Sequence, residues 1–179
     1  MSNGKLVIIG GDAAGMSAAS KVRRVQPNKE IVVFERGKHT SYSACGMPYF
    51  IAGQVSDSER LIARKPETFR EKQNIDVRIR HEVVSIDEKS KKVKVRDIVK
   101  DSTFWETYDE LLIATGASPI RPDFKGIGSD GIFGLSTLQT GIDVFEYINK
   151  YSPQKAVIVG GGYIGIEMAE ALLDLDMKV

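Results

Sequence analysis

The 179-residue chain is 42% hydrophobic and 27% charged, with 25 Lys and Arg against 24 Asp and Glu for a net charge of +1. That balance supplies one ordinary globular core, or one domain and part of another, and excludes both a disordered polypeptide and a basic nucleic-acid footprint. One cysteine, Cys45, and two isolated histidines, His39 and His81, exclude a disulfide scaffold and a Cys-rich zinc site, so no metal is expected.

The opening Met1-Ser2-Asn3-Gly4-Lys5 and the short apolar run behind it are too brief for a signal-peptide core or a membrane span. A cytoplasmic protein with no membrane partner is expected. Leu6 to Ile9 is continuously apolar, the pattern of a strand buried on both faces of a parallel sheet, and Gly10 and Gly11 end it. From Ala13 to Val25, residues Ala14, Ala18, Ala19, Val22 and Val25 fall at helical spacing until Pro27 closes the segment. Ile31 to Phe34 reads as a second buried strand ending at Glu35, which completes a β-α-β unit around a tight glycine turn.

After the run Ser41-Tyr42-Ser43-Ala44-Cys45-Gly46-Met47-Pro48-Tyr49, a mixed stretch to Asn74 reads as helical in parts. Three β-like pieces follow, near Val83 to Asp87, Lys92 to Ile98 and Thr103 to Tyr108, with turn residues between them, and suggest a small antiparallel meander. Trp105, Phe104 and Tyr108 are expected to pack within it. Leu111 to Thr115 is again a buried strand, stopping at Gly116, and Pro119, Pro122, Gly126, Gly128 and Gly131 mark an irregular crossing. A helix is predicted from Thr137 to Lys150 with Ile142, Phe145 and Ile148 facing inward. Ala156 to Val159, Gly160 to Gly165 and Ile166 to Leu175 then repeat the strand, glycine turn and helix of the first unit, 150 residues on.

The expected fold class is therefore α/β: a Rossmann-like parallel sheet with a β-meander, plus the start of a second Rossmann-like unit. Residues 1–120 form the first segment of a dinucleotide domain, 121–152 a linker and helix, and 153–179 the start of the second domain. The next strand should begin at Met177-Lys178-Val179, so the chain is expected to be an N-terminal piece of a longer protein.

In a G-x-G-x-x-G turn, glycine permits the sharp bend and close approach of a pyrophosphate, which the helix N-terminus then binds. Gly160, Gly162 and Gly165 satisfy the pattern. In the first unit Gly10 and Gly15 are present, but Asp12 occupies the middle position. Its carboxylate is expected to turn away and cap the helix by accepting an N–H bond. Glu35 lies 20 residues beyond Gly15, where a carboxylate can bond ribose hydroxyls. Cys45 stands among polar neighbours at a helix start, where the positive end of the macrodipole favours thiolate, and Gly46 is expected to leave room for a ring or a substrate sulfur. Arg23 and Arg24 read equally as a solvated helix face or as phosphate contacts.

These residues resemble a known family. The first glycine unit with Glu35, the Cys45-Gly46-x-Pro48-Tyr49 run, the segment from Tyr108-Asp109 through Ala114-Thr115-Gly116-Ala117-x-Pro119, and the Gly160 to Glu167 unit occur in the order of the FAD-dependent pyridine-nucleotide-disulfide oxidoreductases. The single cysteine is similar to the branch that holds coenzyme A disulfide reductases, NADH oxidases and NADH peroxidases, some with an added rhodanese domain and persulfide activity.

The resemblance implies that Gly10, Asp12, Ala13, Gly15 and Glu35 with Arg36 hold the ADP half of FAD, and that Val83 lies against its adenine. Ala114, Thr115 and Gly116 would form a second FAD-contacting turn. Gly160, Gly162, Ile164 and Gly165 would hold NADH or NADPH, with Glu167 near the flavin–nicotinamide contact. Ser17, Lys21, Arg24 and Ser41 would face a coenzyme A substrate. The implied activity is NAD(P)H-dependent reduction of a small-molecule disulfide, coenzyme A disulfide or a coenzyme A persulfide, through Cys45 as the catalytic residue. Pro48-Tyr49 is similar to the coenzyme A branch, whereas Ala44 departs from an asparagine found in some coenzyme A reductases. Two alternatives stand beside it: an NADH oxidase or peroxidase that cycles Cys45 through sulfenic acid, and a non-catalytic FAD-binding fragment. The family usually forms homodimers through a later domain, so this chain alone is expected to be inactive. The residue that would choose between NADH and NADPH should fall beyond Val179.

Overall fold

The structure is a computed structural model that describes residues 4–179. It divides into two compact units: residues up to Tyr42 together with Ile62–Gly116, and Ser43–Leu61 together with Ala117–Val179.

The first unit is built on a four-stranded parallel sheet. Its strands are β1 (Lys5–Ile9), β2 (Glu30–Glu35), β3 (Asp76–Ile79) and β7 (Glu110–Ile113), in the order β3-β2-β1-β7. Between β1 and β2 runs helix α1 (Ala13–Val25), and α3 (Pro66–Gln73) precedes β3. The first two apolar runs are buried on both faces as predicted, with Val7, Ile8, Ile31, Val32, Val33 and Phe34 all at most 2% exposed. The third is a correction: β7 ends at Ile113 and lies at the sheet edge, with Leu111 and Leu112 only partly buried and Ile113 59% exposed. On one face Met16 and Ala19 of α1 and Phe69 of α3 pack on Ile8, Ile31 and Val33.

The other face carries the predicted meander, β4 (His81–Asp87), β5 (Lys92–Asp97) and β6 (Ser102–Thr107), paired antiparallel with a register shift between Val83 and Ser85. Val93 and Val95 pack on Val7, Ile9, Val32 and Phe34, with Val83 and Phe104 at the margin. Phe104 packs inward as expected, whereas Trp105 is on the exposed face beneath the Lys92 ammonium, 4.7 Å from its ring centre.

Strand β3 is missed by the sequence reading. Asp76-Val77-Arg78-Ile79 has only two apolar residues, because it is an edge strand whose polar side chains make ion pairs instead of core contacts. Arg78 reaches Asp76 at 2.6 Å and Glu106 at 3.0 Å, and Lys5 meets the same Glu106 at 2.7 Å. Glu106 of the meander thus clamps the ends of two parallel strands.

The second unit holds α2 (Met47–Ile51), α4 (Leu138–Tyr151) and α5 (Tyr163–Leu173). Thr137 and Thr140 form a reciprocal capping box that starts α4, and Ser152 in a left-handed conformation ends it one residue before Pro153. Ile142, Phe145 and Ile148 are partly buried, and the Phe145 ring lies 4.5 Å from that of Phe50 in α2. The predicted strand Ala156–Val159 is a correction. It is extended but unladdered, with one parallel bridge from Lys155 to Lys178, and Val157 and Val159 are each 88% exposed. A parallel strand is buried only when neighbours and crossover helices cover it, and among the described residues it has no further strand beside it. No helix among the described residues is long and apolar enough to cross a membrane.

Both meander turns are closed by the last residue of a strand. Asp87 Oδ1 accepts from Ser90 N–H at 3.0 Å, and Asp97 Oδ1 accepts from Val99 and Lys100 N–H at 3.0 and 3.1 Å. The Lys100 amide above all holds the Asp97 carboxyl below its ordinary range, helped by the Val99 amide and by the charges of His81 and Lys100. A carboxyl depressed in the folded state stabilises fully above its unfolded pKa, near 3.9, and that contribution fades as pH falls through the lower native value. Asp97→Ala is expected to lower the melting temperature at pH 7, with the gap to wild type closing below about pH 4. Melting curves across pH 2–7, run at matched ionic strength, check this; a gap that stays constant into acid refutes it.

Candidate functional site

Gly10 leaves β1 at φ +106°, a conformation that L side chains rarely adopt, and a Cβ there would run into the carbonyl oxygen of Ala114. Ala114 N–H in turn donates to Ile9 O at 2.8 Å. Gly15, in the first turn of α1, sits against Gly10 O so closely that a Cβ would overlap it. The turn therefore locks β1, the end of β7 and α1 together backbone to backbone. The first intrahelical bond of α1 is from Met16 N–H to Asp12 O at 2.9 Å, which leaves the Ala13, Ala14 and Gly15 N–H groups without helical acceptors. Open N–H groups at a helix start are suited to an anion.

Asp12 corrects the expectation of a cap. It occupies the N-cap position with extended backbone, φ −99° and ψ −155°, but its side chain makes no capping hydrogen bond. Its Oδ1 is buried without a hydrogen-bond partner among the described residues. Ala13 is exposed at the first helical position.

Glu35 bridges two loops: Oε2 accepts from Gly11 N–H at 2.7 Å and Oε1 from Gly37 N–H at 2.6 Å. Both donors were missed by the sequence reading, although a glycine two residues beyond the strand-end acid is a readable sign of a loop folding back on its carboxylate. Arg36 is exposed beside them. Ser41 N–H reaches Gly11 O at 3.3 Å while its carbonyl accepts from Ala63, at φ +52°. Gly10, Asp12, Gly15, Glu35, Ser41 and Ala114 are thus one constellation at the carboxyl ends of β1, β2 and β7. Thr115 continues from it and Gly116 turns at φ +65° in open space. Val83 lies apart, at the β4 irregularity.

Ser17, Lys21 and Arg24 are spaced one turn apart along α1 and are all exposed, a single polar stripe. Arg23 is not in it. Its guanidinium donates to the carbonyls of Pro27 and Asn74, so it fastens the end of α1 to the loop before β3.

In the second unit Cys45 is exposed in one turn of 3₁₀ helix, Ala44–Gly46, that runs into α2. Met47, Phe50 and Ile51 are buried beneath it, and Ser43 N–H bonds Leu61 O at 2.8 Å. Tyr49, one turn beyond Cys45, is 56% exposed and shares its face. Gly46 is a second correction. The space its missing Cβ leaves is filled by Leu61 Cδ2, at 2.5 Å from the ideal Cβ position, so this glycine serves packing and not a ligand.

The second glycine turn repeats the first. Gly160 has φ +116°, a Cβ on Gly165 would overlap Gly160 O, and Ile166 N–H bonds Gly162 O at 3.0 Å. Gly162 has φ −76° and nothing within 4 Å of its Cβ position. Ile164 is 57% exposed and Glu167 is exposed on α5.

The sequence model of the family described as pyridine nucleotide-disulphide oxidoreductase matches residues 4–179. The chain belongs to that family. A NAD(P)H coenzyme A polysulfide/persulfide reductase of Pyrococcus horikoshii is 41% identical over 93% of this chain and 36% of its own length. An NADH oxidase of Methanocaldococcus jannaschii is 37% identical (94% of this chain, 37% of that protein), and a coenzyme A disulfide reductase of Staphylococcus haemolyticus 33% identical (94% and 38%). Reduced CoADR-RHD of Bacillus anthracis superposes with TM-score 0.96 at 33% identity over 99% of this chain and 32% of that one. The chain thus spans a little over a third of the length of these curated relatives.

Two glycines of the second turn are separable by sterics. Gly165→Ala must displace backbone and is expected to cost about 1–3 kcal/mol, whereas Gly162→Ala should leave stability unchanged. Thermal unfolding of the two variants checks this, and equal losses would show that the pattern acts as a unit.

Proposed function

We propose that the protein is a flavin-dependent NAD(P)H:disulfide oxidoreductase that reduces coenzyme A disulfide or a coenzyme A persulfide through Cys45. The observation that carries this reading is an exposed, solitary thiol on a 3₁₀ turn, in a chain that also builds two tight glycine turns at helix starts. No second cysteine stands near Cys45 in these 179 residues to form an internal pair with it, and under this reading the partner sulfur comes from the substrate.

The first turn fits FAD. Its glycine cradle and the open N–H groups of α1 suit a pyrophosphate, and Glu35, oriented by the Gly11 and Gly37 amides, retains acceptor capacity for ribose hydroxyls. Gly10, Asp12, Ala13, Gly15, Glu35 and Arg36 would hold its ADP half, with Val83 and Ala114–Gly116 as further contacts. Gly160, Gly162, Ile164, Gly165 and Glu167 would serve NADH or NADPH. When bound, FAD supplies a two-electron relay between the nicotinamide and sulfur.

Cys45 Sγ, as thiolate, attacks the substrate disulfide. The substrate S–S bond breaks, one coenzyme A thiolate leaves and takes up a proton, and a Cys45–coenzyme A mixed disulfide remains. Two electrons then cleave that bond, which frees the second coenzyme A thiolate and restores the Cys45 thiolate. The stripe Ser17, Lys21 and Arg24, with Ser41, offers hydrogen bonds and positive charge to the phosphates of coenzyme A. A cytoplasmic homodimer belongs to the same reading.

The second reading, an NADH oxidase or peroxidase, is favoured by the exposure of Cys45, which admits oxygen or peroxide and oxidation to sulfenic acid. Rates with coenzyme A disulfide, oxygen and peroxide separate the two. In the complete enzyme Cys45→Ser is expected to lower disulfide reduction by about three orders of magnitude or more, with flavin content unchanged. Full activity in that variant ends the proposal.

A further inference from the structure

The first dinucleotide turn contains a carboxylate that the fold itself does not employ. Asp12 has an extended backbone open to any residue, it caps nothing, and its Oδ1 is buried without a partner among the described residues. The corresponding residue of the second turn, Gly162, has a similarly extended backbone and empty space where a side chain would be. The fold therefore demands neither glycine nor aspartate here. Buried polar atoms are almost always hydrogen-bonded, and an orphaned acceptor costs free energy until a donor reaches it.

We infer that Asp12 Oδ1 accepts a hydrogen bond from a sugar hydroxyl of the bound dinucleotide, an assignment that rests on the FAD reading of this turn. The chemistry selects the donor. An ionised carboxylate only accepts, and so do the pyrophosphate oxygens, so the two cannot bond directly. The pyrophosphate has its own donors in the Ala13, Ala14 and Gly15 N–H groups, which stay open because Asp12 does not cap them. The donors left on FAD at this end are its polyol hydroxyls, those of the adenosine ribose and of the ribityl chain. Asp12 thereby makes the first turn selective for a hydroxyl-bearing ligand while tolerating the negative charge beside it.

The test is FAD binding to the complete apoprotein, read by quenching of flavin fluorescence, with ADP affinity measured by competition and folding followed by circular dichroism. Asp12→Ala is expected to weaken FAD about tenfold, whereas Asp12→Asn, whose amide oxygen still accepts, stays within about threefold of wild type. A loss for FAD alone assigns the bond to the ribityl chain, and an equal loss for ADP assigns it to the adenosine ribose. If both variants bind FAD tighter than wild type, Asp12 acts by charge repulsion and the inference is wrong; unchanged affinity in Asp12→Ala also overturns it. Should Asp12→Ala fail to fold, Asp12→Gly supplies the variant, since glycine holds the corresponding position of the second turn and offers no acceptor, so affinity must still fall. A folded wild type that takes up no FAD sinks the underlying reading, and this inference with it.

Discussion

The close approach of bare backbone at Gly10 is the constraint on which the first unit depends. A parallel sheet with crossover helices leaves its strand ends open at one edge, and that edge becomes a binding site only if the first helix starts tight against it. Here Gly10 lies against the Ala114 carbonyl while Gly15 lies against the Gly10 carbonyl. The consecutive β1 and α1 and the sequence-distant end of β7 are thus held at backbone contact distance. Any side chain at either glycine would lift α1 from the sheet and move its free N–H groups away from the space they face.

The second layer of that edge is electrostatic. Glu35 takes one N–H from the glycine turn and one from the loop beyond its own strand, so a single carboxylate fixes the separation of β1 and β2 at their functional ends. Glu106 of the meander also joins two strands, by receiving Lys5 at the start of β1 and Arg78 of β3. The two acids differ in consequence. Glu106 is met by opposite charges, whereas Glu35 is met by neutral amides and has lone pairs to spare. That difference decides which of them remains able to read a ligand.

Most of the fold was legible because its strands are continuous apolar runs and its turns carry glycine, the two strongest local signals a sequence offers. What escaped did so for physical reasons. Strand β3 has only Val77 and Ile79 to mark it as apolar, and its other two residues make ion pairs, which have no period. Asp12 was read as a helix cap from residue type, but capping depends on side-chain direction, which sequence does not encode. Gly46 was read as room for a ligand, and only the tertiary position of Leu61 reveals that the space is filled. The exposure of Val157 and Val159 shows the same limit: an apolar run states what a segment would bury, not whether neighbours stand beside it.

A solitary redox sulfur has requirements that paired cysteines do not share. It must meet an external disulfide, hold it in mixed linkage and then yield it, so it needs steric access at every stage. Mobility would defeat the purpose, because a misplaced sulfur loses the alignment that disulfide exchange demands. The turn bearing Cys45 reconciles both. Met47, Phe50 and Ile51 anchor α2 from below, Leu61 fills the gap at Gly46, and the Ser43 amide ties the entry to the Leu61 carbonyl. What remains exposed is Ser43, Ala44 and Cys45 and, beyond them, Tyr49. Burial of Met47, Phe50 and Ile51 thus anchors the turn, and the exposure of Cys45 meets the access that the proposed exchange would require.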